Sequence, residues 1–405
     1  MAEKLKIAFY TDTYLPAVDG VVTSIINSRE ELTRRGHEIY IFTSGDRSAR
    51  PIVEIEKNVF AVPGVKFKKY PQYRLAIFPF LSSVKLNEIK PDIIHSHTPF
   101  MMGLSALLLA KINRIPIVGT FHTFFTDKKV LDEYGTNNEF GKKMMIKYSW
   151  PYARFFYTKC NRVIAPSHVT MGVLSKHGIE NTVVVPNSVD LKKFNPSVSG
   201  EKLREKLLNG KDGKIVMYLG RMSKEKRIDV ILRAAKRLQG RNIKFVFVGS
   251  GPSLNHYTSM AARYGLGEST HFTGFVESSM LPKYYAASDV FCTASTFETQ
   301  GVVLLEAMAL GKPVVGADAL AIKEIVKNGR NGEKFKPGDS KSCAKMIERV
   351  INNIDSYKET VETAKKYSVK KTTDMLLDVY RELIHDSNPE RYLDHKISKS
   401  KSQGD

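Results

Sequence analysis

The chain has 405 residues, 42% of them hydrophobic and 26% charged, a balance that excludes a disordered or fibrous polymer and leaves room for two globular domains. Lys and Arg number 62 against 42 Asp and Glu, a formal net charge of +20, so anionic partners are expected: a phosphorylated ligand, an acidic membrane or a nucleic acid. Three cysteines, Cys160, Cys292 and Cys343, are scattered and odd in number, which excludes a disulfide framework or a zinc pattern and fits a reducing cytoplasm.

The first run, LKIAFYT, is too short for a signal peptide and predicts a strand. No later run reaches the 18 or so apolar residues of a membrane span, so any membrane is met from outside the bilayer. Further short β-branched or aromatic runs follow in the first half: HEIYIFTS, DIIHSH, PIVGTF, RVIAPS and TVVVPN. Amphipathic stretches such as Val22–Arg35 and Leu104–Asn113 lie between them. From Pro186 to Gly213 the chain turns rich in Pro, Asn, Ser, Gly and Lys, as a domain boundary does. The second half repeats the pattern with KIVMYLG, IKFVFVGSG, THFTGF, DVFCTAS and KPVVGA. Helices are predicted over Arg227–Gln239 and Val302–Leu310. This alternation predicts an α/β fold of two doubly wound parallel-sheet, Rossmann-like domains. Ligands of such sheets bind at the carboxyl ends of the strands, so two of them face a common cleft.

The chemistry-bearing strings fall at those strand ends. In TFETQGVVLLEAMALGKPVV, Glu298 lies in a strand-to-helix loop and Glu306 lies inside the following helix of Val, Leu, Ala and Met, with seven residues between the two. A carboxylate on so apolar a helix is costly to bury without hydrogen bonds, and a ribose diol supplies two donors. Glu298 and the backbone of Thr299, Gln300, Gly301 and Val302 are candidates for sugar hydroxyls or phosphate at the helix N-terminus. In YLGRMSKEKRID, Arg221 and Lys226 bracket a short loop where two cations can neutralise a diphosphate leaving group. In the first βα loop, Gly20 lets backbone approach a phosphate, whereas Asp19 beside it is unhelpful there unless it faces away or meets the acceptor. His122, in VGTFHTFFTD, ends a buried-type strand facing the cleft, and His95 and His97 end the preceding strand as second-rank candidates. The turn Gly249–Ser250–Gly251 follows another strand and can approach phosphate or sugar. No Walker string and no D-x-D pair is present.

The Glu298 to Glu306 string, together with the G-R-x-x-x-x-K element at Arg221 and Lys226, resembles glycosyltransferase family 4 over nearly the whole chain, to about residue 385. The resemblance implies the GT-B fold and a retaining, metal-independent hexosyl transfer from a nucleotide-sugar, with no cofactor. It assigns Glu306 to the donor ribose, Glu298 and His122 to the donor sugar, and backbone near Val276 to the nucleobase. It also implies residues 1–190 as the acceptor-binding domain and 191–370 as the nucleotide-sugar domain. A C-terminal helix at 371–386 is expected to cross back to the first domain, with a polar tail at 387–405. TDTYLPAVDGVVTSI, HSHTPFMMG and ETQGVVLLEAMALGKPVV look most like diacylglycerol glucosyltransferases, and Gln300 stands where phosphoinositol mannosyltransferases more often have Phe. UDP-glucose and a lipid acceptor are therefore expected, with GDP-mannose and a phosphoinositol or polyprenyl acceptor as the alternative. A sugar-nucleotide epimerase and a nonenzymatic basic binding protein are more distant alternatives.

Two stretches of the first half mix cations with apolar side chains. Lys66, Lys68 and Lys69 interleave with Phe67, Tyr70 and Tyr73, and Lys142 and Lys143 precede Met144, Met145 and Trp150. Such a mixture suits an anionic membrane surface, so a peripheral position at the inner face of the membrane is expected. No nucleic-acid module is recognisable, and nucleic acid is not an expected partner.

Overall fold

The computed structural model describes residues 4–17, 19–46, 52–67, 70–126 and 138–387. The first sheet has eight strands in the order Thr182–Val184, Arg162–Ala165, Ile117–Thr120, Ile93–Ser96, Lys6–Tyr10, Glu38–Ser44, Val59–Val62 and Val53–Glu56. Every neighbouring pair is parallel except the last, which is antiparallel. The second sheet has six parallel strands: Thr270–Gly274, Ile243–Val248, Lys214–Leu219, Val290–Thr293, Val314–Ala317 and Gly332–Phe335. Numbered along the chain, that order is 3-2-1-4-5-6, the doubly wound pattern. The inner strands read as continuous apolar runs because helices cover both faces.

In each sheet the chain order reverses beside its first strand. There, adjacent loops leave in opposite directions and a crevice opens. In the first sheet this point lies between Lys6–Tyr10 and Ile93–Ser96, and in the second between Lys214–Leu219 and Val290–Thr293. The loops carrying Gly20, His97, Arg221 and Glu298 all leave from these strands.

The helix Val302–Ala309 is apolar nearly all round, and Leu304 through Ala309 are all buried against the second sheet. It ends at Gly311, whose φ of +75° suits glycine at a helix terminus. The last helix, Val369–Ser387, returns to the first sheet. Leu376, Leu377, Val379, Tyr380 and Leu383 join a core cluster with Leu5, Ile7, Phe9, Ile25 and Leu32. Each such side chain contributes roughly 1.5–3 kcal/mol at most, so this helix holds firmly to the first domain. Asp374 and Glu382 add ion pairs to Arg35 and Arg162, both at 2.5 Å.

The three cysteines are free and buried. Among the described residues no helix is long and apolar enough to cross a membrane.

Candidate functional site

The second-sheet wall is built by two loops. One follows Lys214–Leu219 and carries Arg221 and Lys226; the other follows Val290–Thr293 and carries Glu298. Lys226 Nζ lies 2.7 Å from Glu298 Oε1, joining positions 72 residues apart. Burial by itself would raise the Glu298 carboxyl, but the charge and hydrogen bond of Lys226, with a hydrogen bond from Ser295, hold it below its ordinary value. The two residues assigned to diphosphate and to sugar thus form one ion pair. Arg221 is half-buried at the same turn, its carbonyl accepting the Tyr218 hydroxyl at 3.0 Å.

Glu306 is only 9% exposed. Tyr285 donates its hydroxyl to Glu306 Oε2 at 2.7 Å, with a second, longer contact to the Val303 carbonyl at 3.1 Å. Burial pushes the Glu306 carboxyl up to about 7, against the lowering effects of that hydrogen bond and of Lys193. Lys193 in turn reaches Ser278 Oγ at 2.6 Å. Val276 is half-buried against the apolar cluster beneath these residues.

Gly301 opens the Glu306 helix with φ +81°, and a side chain there would lie 2.4 Å from Leu304 Cδ1. Among the described residues no side chain caps this helix start; the Leu304 amide donates to the Gly301 carbonyl at 3.0 Å, which leaves the amides of Val302 and Val303, next to Glu298, for an anion. The side chains of Thr299 and Gln300, whose backbone is the expected donor contact, are engaged across the domain junction. Gln300 is buried and grips the Asn187 backbone twice, accepting from its amide at 2.5 Å and donating to its carbonyl at 2.9 Å. Thr299 donates to the His122 carbonyl at 2.9 Å, and its own carbonyl accepts from Ser167 at 2.7 Å and Thr170 at 3.0 Å.

The turn Gly249–Ser250–Gly251 has a packing requirement of its own. A side chain at Gly249 would sit 2.1 Å from the Gly220 carbonyl oxygen, and one at Gly251 2.6 Å from that of Met222. Hydrogen bonds from Met222 N to Ser250 O and from Ser253 N to Met222 O close the contact. These glycines let the turn press against the loop that presents Arg221, while Ser250 itself is exposed.

On the first-sheet wall, Asp19 caps the helix Gly20–Arg34, its Oδ1 accepting from Val21 N and Val22 N at 2.9 Å each. Its carboxylate therefore holds the amides that an anion would otherwise take at this helix start. A side chain at Gly20 would meet nothing within 4 Å, so no packing within the described chain demands glycine there. Asp12 bonds Thr98 and the amide of Met102, joining the first loop to HSHTPF, and burial raises its carboxyl to about 6. His122 Nε2 lies 3.1 Å from His97 Nδ1, and His97 stacks on His95 with centroids 4.0 Å apart. Burial lowers His122 to about 4 and His95 to about 3, so these rings are neutral at physiological pH.

The cation-rich helix Glu139–Tyr157 buries Ser149, Ala153, Phe156 and Tyr157. Phe140, Met144, Met145, Tyr148 and Phe155 are exposed beside Lys143 and Lys147, while Lys142 is partly covered 3.9 Å from Glu139. Trp150, expected at a membrane surface, is partly exposed. Its ring stacks on His177 at 3.5 Å, and Phe121 lies nearly parallel to it at 6.3 Å. A hollow of about 500 Å³ opens beside it, lined by Pro151, Arg154, Phe155, Thr158 and His177. Lys66 is exposed on the strand Gly64–Phe67, and Lys68 and Lys69 lie outside the described residues.

Sequence reasoning overlooked Tyr285, Lys193, Asn187 and Ser167. Only Ser167 left a local signal, an N-cap serine opening the helix His168–Lys176.

Residues 199–367 match the family described as glycosyl transferases group 1, and residues 18–193 match glycosyltransferase family 4. The chain is 30% identical over 365 residues to the alpha-monoglucosyldiacylglycerol synthase of Streptococcus pneumoniae, covering 88% of this chain and 81% of that one. It is 28% identical to a GDP-mannose-dependent alpha-mannosyltransferase of Corynebacterium glutamicum, covering 81% and 76%. Among solved structures, sucrose-phosphate synthase from Thermosynechococcus elongatus superposes with a TM-score of 0.76 at 19% identity, covering 95% of this chain and all of that one.

Proposed function

This chain belongs to glycosyltransferase family 4, and we propose that it moves glucose from UDP-glucose to a lipid such as diacylglycerol at a membrane surface, with retention of configuration and no metal. Residues 1–190 take the acceptor and 191–370 the donor, with 371–386 tying the chain back to its first domain. Glu306 Oε1 receives the ribose diol while Tyr285 occupies Oε2. The amides of Gly301, Val302 and Val303 and the cations Arg221 and Lys226 meet the diphosphate. As Lys226 turns to phosphate, Glu298 is released to the sugar hydroxyls. Gly20 and His122 close over the donor from the first domain. Charge that develops on the departing diphosphate is neutralised by Arg221 and Lys226, a job otherwise given to a divalent ion. The acceptor hydroxyl attacks the face the diphosphate vacates, without a protein nucleophile, as the bond from the anomeric carbon to the diphosphate oxygen breaks and the hydroxyl proton passes to that departing oxygen.

The observation that carries the lipid reading is the outer face of Glu139–Tyr157, where exposed aromatics and methionines stand among lysines. Each cation near an anionic surface contributes about 1 kcal/mol, and the apolar side chains enter the headgroup region. A position at the inner face of the membrane, reached from the cytoplasm, follows from this reading. The name of the pneumococcal relative supports the same acceptor. GDP-mannose is the second reading, supported by the corynebacterial relative. A panel of UDP-glucose and GDP-mannose, each with diacylglycerol or phosphoinositol vesicles, tests the assignment. Transfer from UDP-glucose to diacylglycerol is expected; transfer only from GDP-mannose would replace the first reading with the second.

A further inference from the structure

His97 is 3% exposed and lies between two other imidazoles. One face stacks on His95 at 4.0 Å, Phe9 meets it edge-on at 4.7 Å, and its Nδ1 lies 3.1 Å from His122 Nε2. Its other nitrogen, Nε2, is enclosed and has no hydrogen-bond partner among the described residues. His95 is fully engaged, its Nδ1 at 2.6 Å from the Tyr380 hydroxyl and its Nε2 at 2.6 Å from Thr120 Oγ1.

Two neutral rings sharing one hydrogen bond have two proton arrangements. If His122 donated from Nε2, His97 would carry its own proton on the enclosed Nε2, a buried N–H with no acceptor. If His97 donates from Nδ1, its Nε2 is a bare lone pair. An orphaned buried N–H is the rarer and more costly of the two, so the second arrangement wins. His122 must then carry its proton on Nδ1, which no described residue engages.

We infer that His97 is a positioning residue: by donating Nδ1–H to His122 Nε2, it fixes His122 in the tautomer that presents Nδ1–H to a ligand in the cleft. This rests on the reading of His122 as a donor-sugar contact. It gives the H-x-H string at positions 95–97 a division of labour. His95 ties the strand to Tyr380 of the returning helix, and His97 sets the hydrogen-bond polarity of the next strand's histidine.

The test is long-range 1H–15N correlation spectroscopy of the full chain labelled with 15N-histidine, with His122 signals identified by a His122→Gln variant. The wild type is expected to show His122 protonated at Nδ1, and His97→Phe to show a mixture of tautomers. In His97→Asn, the amide nitrogen stands near the place of Nδ1, so the Nδ1-protonated form of His122 returns. In the transfer assay, His97→Phe is expected to lower kcat about tenfold or more with the donor KM little changed, and His97→Asn to recover most of it. A wild-type His122 protonated at Nε2, or an unchanged tautomer in folded His97→Phe, overturns the inference. The spectra need no turnover, so they decide the role of His97 even in a chain that fails to transfer glucose.

Discussion

Replacing Glu306 with Gln keeps the shape and the Tyr285 hydrogen bond but removes ionisation. The Glu306 carboxyl is raised from 4.5 to about 7, chiefly by burial. Between those pH values the folded chain holds a proton that the unfolded chain has released. Stability from this group is therefore fully present below 4.5 and is lost as pH rises through about 7. The difference amounts to about 3 kcal/mol, at roughly 1.4 kcal/mol per pH unit. Wild type and Glu306→Gln unfolded by denaturant at about pH 5 and about pH 8.5 give the comparison. Any pH-independent effect of the amide cancels between the two conditions. The variant should gain about 3 kcal/mol on the wild type at the higher pH, yet bind uridine diphosphate more weakly. An equal stability difference at both pH values would refute the claim that Glu306 is ionised against its surroundings. Unaltered nucleotide affinity would refute its role at the ribose.

Lys226→Met should leave the fold intact, raise the Glu298 carboxyl from its depressed value, and reduce kcat about 10²–10³-fold in steady-state assays, the scale of losing one fixed charge or donor. Gly249→Ala, with its side chain 2.1 Å from a carbonyl oxygen, should lower the thermal midpoint and weaken nucleotide binding together, measured by differential scanning fluorimetry with and without ligand. Reversing Lys143 and Lys147 to Glu should release the protein from anionic vesicles in sedimentation, by more than tenfold at about 1 kcal/mol per charge removed, and leave water-soluble donor binding unchanged.

The alternation of strands and helices was enough to read the inner strands of both sheets, because strands covered on both faces must be apolar along their whole length. The outer strands Val53–Glu56, Val59–Val62 and Gly332–Phe335 were missed, the first being largely exposed and the last short and polar at two of its four residues. Glu306 was legible for the same reason: a carboxylate between Leu305 and Ala307 on an apolar helix is conspicuous. Its partner Tyr285 was not, since nothing local distinguishes a buried tyrosine that bonds a carboxylate 21 residues away. The Lys226–Glu298 pair and the Gln300–Asn187 clasp were hidden similarly, by separations of 72 and 113 residues. The stacking of Trp150 on His177 was hidden too, because His177 comes from the following helix–loop unit. The packing of the neighbouring loop against Gly249 and Gly251 was not legible either. Sequence shows that a glycine is present, and only packing shows what approaches it.

The most direct test follows one product. Full-length protein, UDP-glucose and diacylglycerol vesicles are incubated with a chelator, and the anomeric proton of the glycolipid formed is read by NMR. An α-glucosyl lipid, formed at the same rate with or without chelator, is the expected result. A β-linked product, or transfer that returns only when a divalent ion is restored, would contradict retention driven by fixed protein charge.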